Sequence, residues 1–92
     1  MWVRVASFEN VDFDKMEQRD PPSEMPGGML GAQVLADRST GRSLFLAFFD
    51  TKDSIDAAAE HFEAMGDEIP EEERGRRTSV EAYEVVMNTW EQ

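Results

Sequence analysis

His61 is the only histidine of the chain, and an imidazole can act as a general acid or base or bind a metal. Asp56 and Glu60 stand four residues apart on the same predicted helix face. Two carboxylates and a histidine can hold a divalent cation, but no second segment supplies further ligands, and the same trio serves equally as a solvated helix face. Arg4 and Tyr83 are the better pocket candidates, because each puts a polar tip on a predicted strand. A tyrosine can donate a proton to a phenolic substrate or orient it; its other reading is a boundary residue with the ring in the core. Arg4 either meets a ligand or pairs with one of many acids near a strand end. Arg74, Arg76 and Arg77 can grip an anion, although acids just before them in sequence compete for them. No serine lies in a nucleophile-elbow sequence, and Gly27-Gly28 is too little for a phosphate loop.

The totals narrow the classes. A chain of 92 residues, 40% apolar, builds one domain with a modest core. There is no cysteine, which removes disulfides, thiolate metal sites and a cysteine nucleophile, and fits a cytoplasmic setting. Twenty acids against nine bases give a net charge of -11. Such a charge repels phosphate backbones and anionic membranes, so nucleic acid and membrane are not expected partners. No apolar run approaches the roughly 20 residues of a membrane helix. Met-Trp-Val-Arg-Val reads as the start of a strand rather than a signal peptide.

The elements that must position these residues centre on Arg42 to Met65. Leu44 to Phe49 is apolar at six consecutive positions. A strand alternates its faces, so both faces of this one want cover, which marks a central strand. A single amphipathic helix follows, capped by Thr51, with Ile55, Ala58, Ala59, Phe62 and Met65 as its buried stripe and Gly66 as its stop. Before this stretch, Met1 to Glu9 reads as a strand with Trp2, Arg4, Ala6 and Phe8 on one face. Asn10 to Arg19 reads as a weak helix, capped by Asp12 or Asn10 and stopped by Pro21-Pro22. A flexible loop is expected over about 20–28.

Met29 to Asp37 is a strand with Leu30, Ala32, Val34 and Ala36 on one face. It joins the central strand through a hairpin turn in which Gly41 takes the positive φ. After the helix, 67–77 is a polar loop with a helical turn beginning after Pro70. Thr78 to Met87 is a fourth strand, and 88–92 a tail in which Trp90 packs on something.

The order is that of a single α+β domain over 1–92, ferredoxin-like βαββαβ, with a four-stranded antiparallel sheet and its helices on one face. The other face then keeps apolar side chains with no element to cover them. A bare apolar sheet face is an association surface, so a homodimer through that face, about a twofold axis, is expected.

Trp2-Val-Arg-Val-Ala-Ser-Phe-Glu9, Pro26-Gly-Gly, Val34-Leu-Ala-Asp-Arg-Ser-Thr-Gly41-Arg, Phe48-Phe-Asp-Thr-Lys-Asp-Ser-Ile-Asp-Ala57 and Val80-Glu-Ala-Tyr-Glu-Val85 together resemble the dimeric α/β barrel superfamily. Within it they are most similar to the small proteins grouped with antibiotic biosynthesis monooxygenases. The resemblance implies two half-barrels joined as a dimer, with a pocket between sheet and helices in each. It implies oxygenation of a small aromatic or polyketide-like compound without cofactor. The alternatives are binding of a small apolar ligand without turnover, or a purely structural homodimer module. Phe49 stands where relatives often carry a tryptophan associated with the active pocket, and joins Arg4, His61 and Tyr83 as a pocket candidate. Haem-degrading relatives pair an asparagine in the first strand with that tryptophan and a helical histidine. Here Ser7 and Phe49 take the first two places, and His61 falls about half a turn late. The first helix is also shorter than in most relatives, which changes or opens the pocket it would roof.

Overall fold

Leu44 to Phe49 does lie inside a sheet. A computed structural model describes residues 1–19 and 25–90; the Pro21-Pro22 stop, part of the 20–28 loop and residues 91–92 lie outside the described residues. In chain order the elements are β1 (Trp2–Glu9), α1 (Phe13–Glu17), β2 (Met29–Asp37), β3 (Arg42–Phe49), α2 (Lys52–Ala57), α3 (Ala59–Glu68), α4 (Glu71–Arg74) and β4 (Arg76–Glu84). The sheet runs β2-β3-β1-β4 with every neighbouring pair antiparallel. This α+β arrangement is compatible with the ferredoxin-like order. No helix among the described residues is long and apolar enough to cross a membrane.

The register assigns the two faces. Arg4 lies opposite Ala47 of β3 and Ala82 of β4, and Ala6 opposite Phe45 and Val80. These side chains share the face on which the helices pack. Ala47, Phe49, Ile55, Ala58 and Phe62 form the buried core there. Phe62 is its hub, meeting Phe45 and Phe49 edge-on at ring separations of 6.2 and 6.1 Å. Val3, Val5, Leu44, Leu46 and Phe48 share the opposite face, where Trp90 of the tail packs edge-on against Phe48 at 5.0 Å.

Local signals explain most of the element ends. Asp12 caps α1 by accepting from the Lys15 N–H at 3.1 Å, while Asn10 adopts φ 58° just before it, a conformation asparagine tolerates. Thr51 caps α2, accepting from the Ser54 N–H at 3.2 Å. Gly41 takes φ 75° in the β2–β3 turn, and its N–H donates to the Asp37 carbonyl at 2.9 Å.

Six expectations need correction. The first helix spans only Phe13–Glu17. The single second helix divides at Ala58, whose N–H is shared between the Ser54 and Ile55 carbonyls at 3.1 Å each, so the turn tightens there. Ala59 is exposed, and the buried stripe passes through Ile55, Ala58 and Phe62. Gly66 does not stop α3, which runs on to Glu68. The stop is Ile69, held extended at φ -106°, ψ 123° because Pro70 crowds a helical residue before it. In β2, Met29 pairs with Phe49 and Gly31 with Phe48, so Leu30 is the extra residue of a bulge. Met29 takes the place expected for Leu30 and packs on the core. The last strand begins two residues earlier than expected, at Arg76, and ends at Glu84.

Candidate functional site

Between the helix side of the sheet and the helices lies a cavity of about 800 Å³. Its floor is Ala6 and Phe8 of β1 with Ser43 and Phe45 of β3. Phe13 and Met16 of α1 form one wall, and Phe62 and Met65 of α3 another. The opening exists because α1 is so short. A five-residue helix is about 7.5 Å long at 1.5 Å per residue and cannot lie across a four-stranded sheet. Its N-terminal end is tied down: the Val11 N–H donates to the Gly41 carbonyl at 3.0 Å and the Asp12 N–H to the Glu73 carbonyl at 2.9 Å.

Arg4 stands at the base of this cavity, only 7% exposed. Its guanidinium carbon lies 4.2 Å from the centre of the Phe62 ring, a stacking geometry that orients the flat group. Burial first, and the nearby Arg77 charge second, push its pKa below the ordinary value, while Glu63 pulls the other way. An arginine keeps its proton under such pressure.

The other arginines around the cavity are occupied. Arg19 donates to Glu73 at 2.7 Å, Arg77 pairs with Glu63 at 2.8 Å, and Arg76 pairs with Glu9. Arg74 donates to the Gly66 and Ile69 carbonyls at 3.0 and 3.2 Å. It thereby adds a side-chain donor to the end of α3, where the Gly66 carbonyl also accepts from the Ile69 N–H at 3.3 Å. Arg74, Arg76 and Arg77 thus take no partner from the acids just before them in sequence, and Glu73 of that run pairs with Arg19 instead. Ser43 donates to the Leu35 carbonyl at 2.9 Å. Among the described residues of the lining, Arg4 alone of the cations has neither an ion pair nor a hydrogen bond. No buried side-chain nitrogen or oxygen there is sealed off without a partner. The Arg4 nitrogens must therefore reach open space, and the space beside them is the cavity.

The remaining candidates fall elsewhere. Phe49 is fully buried at 0% exposure in the core beneath α2 and α3. His61 lies beside Phe62, ring to ring at 5.7 Å, outside the cavity lining. Tyr83 pairs with Val3, on the sheet face away from the cavity, where its hydroxyl donates to Glu81. Asp56, Glu60 and His61 do not form a metal cluster, and none of three or more potential ligands exists among the described residues. Of the four candidates, then, the fold brings Arg4 alone into the cavity. Around it stand Phe8, Phe13, Phe45 and Phe62, of which sequence reasoning had singled out none. The alignment of Phe8 with Arg4 on one strand face was readable from the sequence, whereas that of Phe45 becomes readable once the register is known.

Comparison with known proteins finds no matching family model, no similar curated protein and no similar solved structure.

Proposed function

We propose that this chain is a ferredoxin-like, small-ligand-binding domain that holds a compound with an aromatic or other apolar body in the cavity between sheet and helices. The observation that carries the reading is the cavity itself. At about 800 Å³ it falls in the range of sites that enclose small molecules, roughly 300–1,000 Å³, and Phe8, Phe13, Phe45, Phe62 and Met65 give it an apolar wall beside its charged residues. Binding without turnover is preferred to oxygenation because the acid–base candidates His61 and Tyr83 lie outside the lining. The domain works as a homodimer of the dimeric α/β barrel kind, with the sheet face of Val5, Leu44, Leu46 and Phe48 against its copy. The exposure of Leu35 and Leu44 on that face supports this.

The test is thermal unfolding with anthrone and neutral naphthol as probes. At about one hundred times its Kd, a bound probe adds about 2.7 kcal/mol, a Tm rise of roughly 10 °C or more. Val34→Trp, at an exposed position on the cavity wall, should abolish the rise and leave the fold intact. Oxygen uptake with the anthrone would convert the binding site into an active site. No stabilisation by any aromatic probe would contradict the reading.

A further inference from the structure

We infer that the cavity takes its ligand as a monoanion, an apolar or aryl carboxylate whose charged end pairs with Arg4. The inference rests on the ligand-binding reading above and names the ligand class. Arg4 is 7% exposed as a residue, so its charge has given up part of its contact with water. Burial of a charge is costly unless a partner compensates it, and no described side chain does so within hydrogen-bonding distance. The guanidinium carbon is held 4.2 Å from the centre of the Phe62 ring, and a guanidinium's fork of N–H donors suits two parallel bonds to a carboxylate. Phe8, Phe13, Phe45 and Met65 supply the apolar part of the lining. A ligand seated there puts a charged head at the floor and an apolar body along the walls.

The same surroundings argue for a single negative charge. Glu63, Asp67, Glu68 and Glu71 also border the cavity, and the chain carries a net charge of -11. Apart from Arg4, the cavity's arginines are already bonded to Glu73, Glu9, Glu63 and backbone carbonyls. A phosphate dianion would find one available guanidinium and several repelling carboxylates. A carboxylate needs only the one.

Calorimetric titration of the full chain with naphthoate, and with the uncharged naphthalenemethanol as its isostere, tests this. Naphthoate should bind more tightly by roughly ten-fold or more, the scale of one charge-assisted pair. Arg4→Met should erase that preference by weakening naphthoate alone. Arg4→Lys, which keeps the charge and loses the fork, should recover part of it. Equal binding of the two compounds by the wild-type chain would overturn the anion assignment and leave the cavity reading standing. Binding of neither would overturn both. A preference unchanged in Arg4→Met would place the anion elsewhere and overturn the role of Arg4. If Arg4→Met fails to fold, the wild-type comparison and Arg4→Lys still decide.

Discussion

Arg4 shares a strand face with Trp2, Ala6 and Phe8, all apolar, and stacks its guanidinium on Phe62 without a hydrogen bond among the described residues. For the unliganded fold these features oppose each other. The stacking contributes about 0.5–2 kcal/mol, while desolvating the charge costs a few. Arg4→Met should therefore change the unfolding free energy by less than about 1 kcal/mol in urea titration, even as it removes anion binding. A loss above about 3 kcal/mol would mark Arg4 as half of a structural ion pair instead. Phe49 behaves in the opposite way. At 0% exposure, Phe49→Ala should cost about 3–5 kcal/mol. Phe49→Trp, the residue expected from the family resemblance, should cost about 1–3 kcal/mol by overpacking the contact with Phe62. A neutral Phe49→Trp would show spare volume at that end of the core.

At the scale of elements, the end of β3, the start of β2 and the cap of α2 meet at one junction. The Asp50 N–H donates to the Gly28 carbonyl at 3.0 Å, and the Ser54 hydroxyl donates to the Asp50 carboxylate at 2.7 Å. Gly28 sits at φ +82°, and a Cβ there would come within 2.6 Å of Asp50 Oδ1. The Ser54 hydroxyl is the main cause of an Asp50 pKa below its ordinary 3.8. A depressed carboxylate stabilises the fold above its unfolded pKa and loses that contribution as pH falls through the folded value. Asp50→Asn should thus melt below the wild type at neutral pH, with the gap closing on acidification beneath about 3.8. A gap constant with pH would place its cause in the amide side chain rather than the charge. Gly75, between α4 and β4, is stricter still. At φ 76°, ψ -175° it occupies a region essentially reserved for glycine, and an added Cβ would collide with the Glu9 carbonyl oxygen. Gly75→Ala should cost at least about 2 kcal/mol, read by denaturant unfolding.

The legible elements were those with local causes. The apolar run of β3, the φ of Gly41, the Thr51 cap and the Pro70 turn each follow from a few neighbouring residues. The bulge at Leu30 was not legible, because one inserted residue leaves the apolar spacing on either side unchanged. Nor was the true end of α3. A glycine at 66 suggested a stop, but Ile69-Pro70 and the Arg74 guanidinium supply it, the latter across space. The site was half legible for the same reason. Arg4 stood out as a charge in an apolar row, but which arginines would find partners depends on Glu9, Glu63 and Glu73, between 14 and 67 residues distant in sequence from theirs.

The whole molecule offers two apolar surfaces, one on each side of a single sheet. On the helix side, the cavity is enclosed on several sides and carries a cation. On the other side, Leu44 is exposed and Val5, Leu46 and Phe48 are half-buried, with Trp90 packed against Phe48. The proposed occupants differ, a small molecule for the cavity and a second copy of the chain for the other face. Sedimentation should give about twice the 10.5 kDa chain mass. Leu44→Glu, at a position 38% exposed in the single chain, should return the monomer by placing a charge in the contact. A wild-type chain that stays monomeric on concentration would remove the dimer. Assigned amide and methyl shifts during a naphthoate titration discriminate between the two faces most directly. Shifts should concentrate at Ala6, Phe45, Phe62 and Met65 around Arg4, while Val5, Leu44 and Tyr83 hold still. Shifts centred on Leu44, Phe48 and Trp90 would move the ligand to the open face and refute the cavity as the binding site.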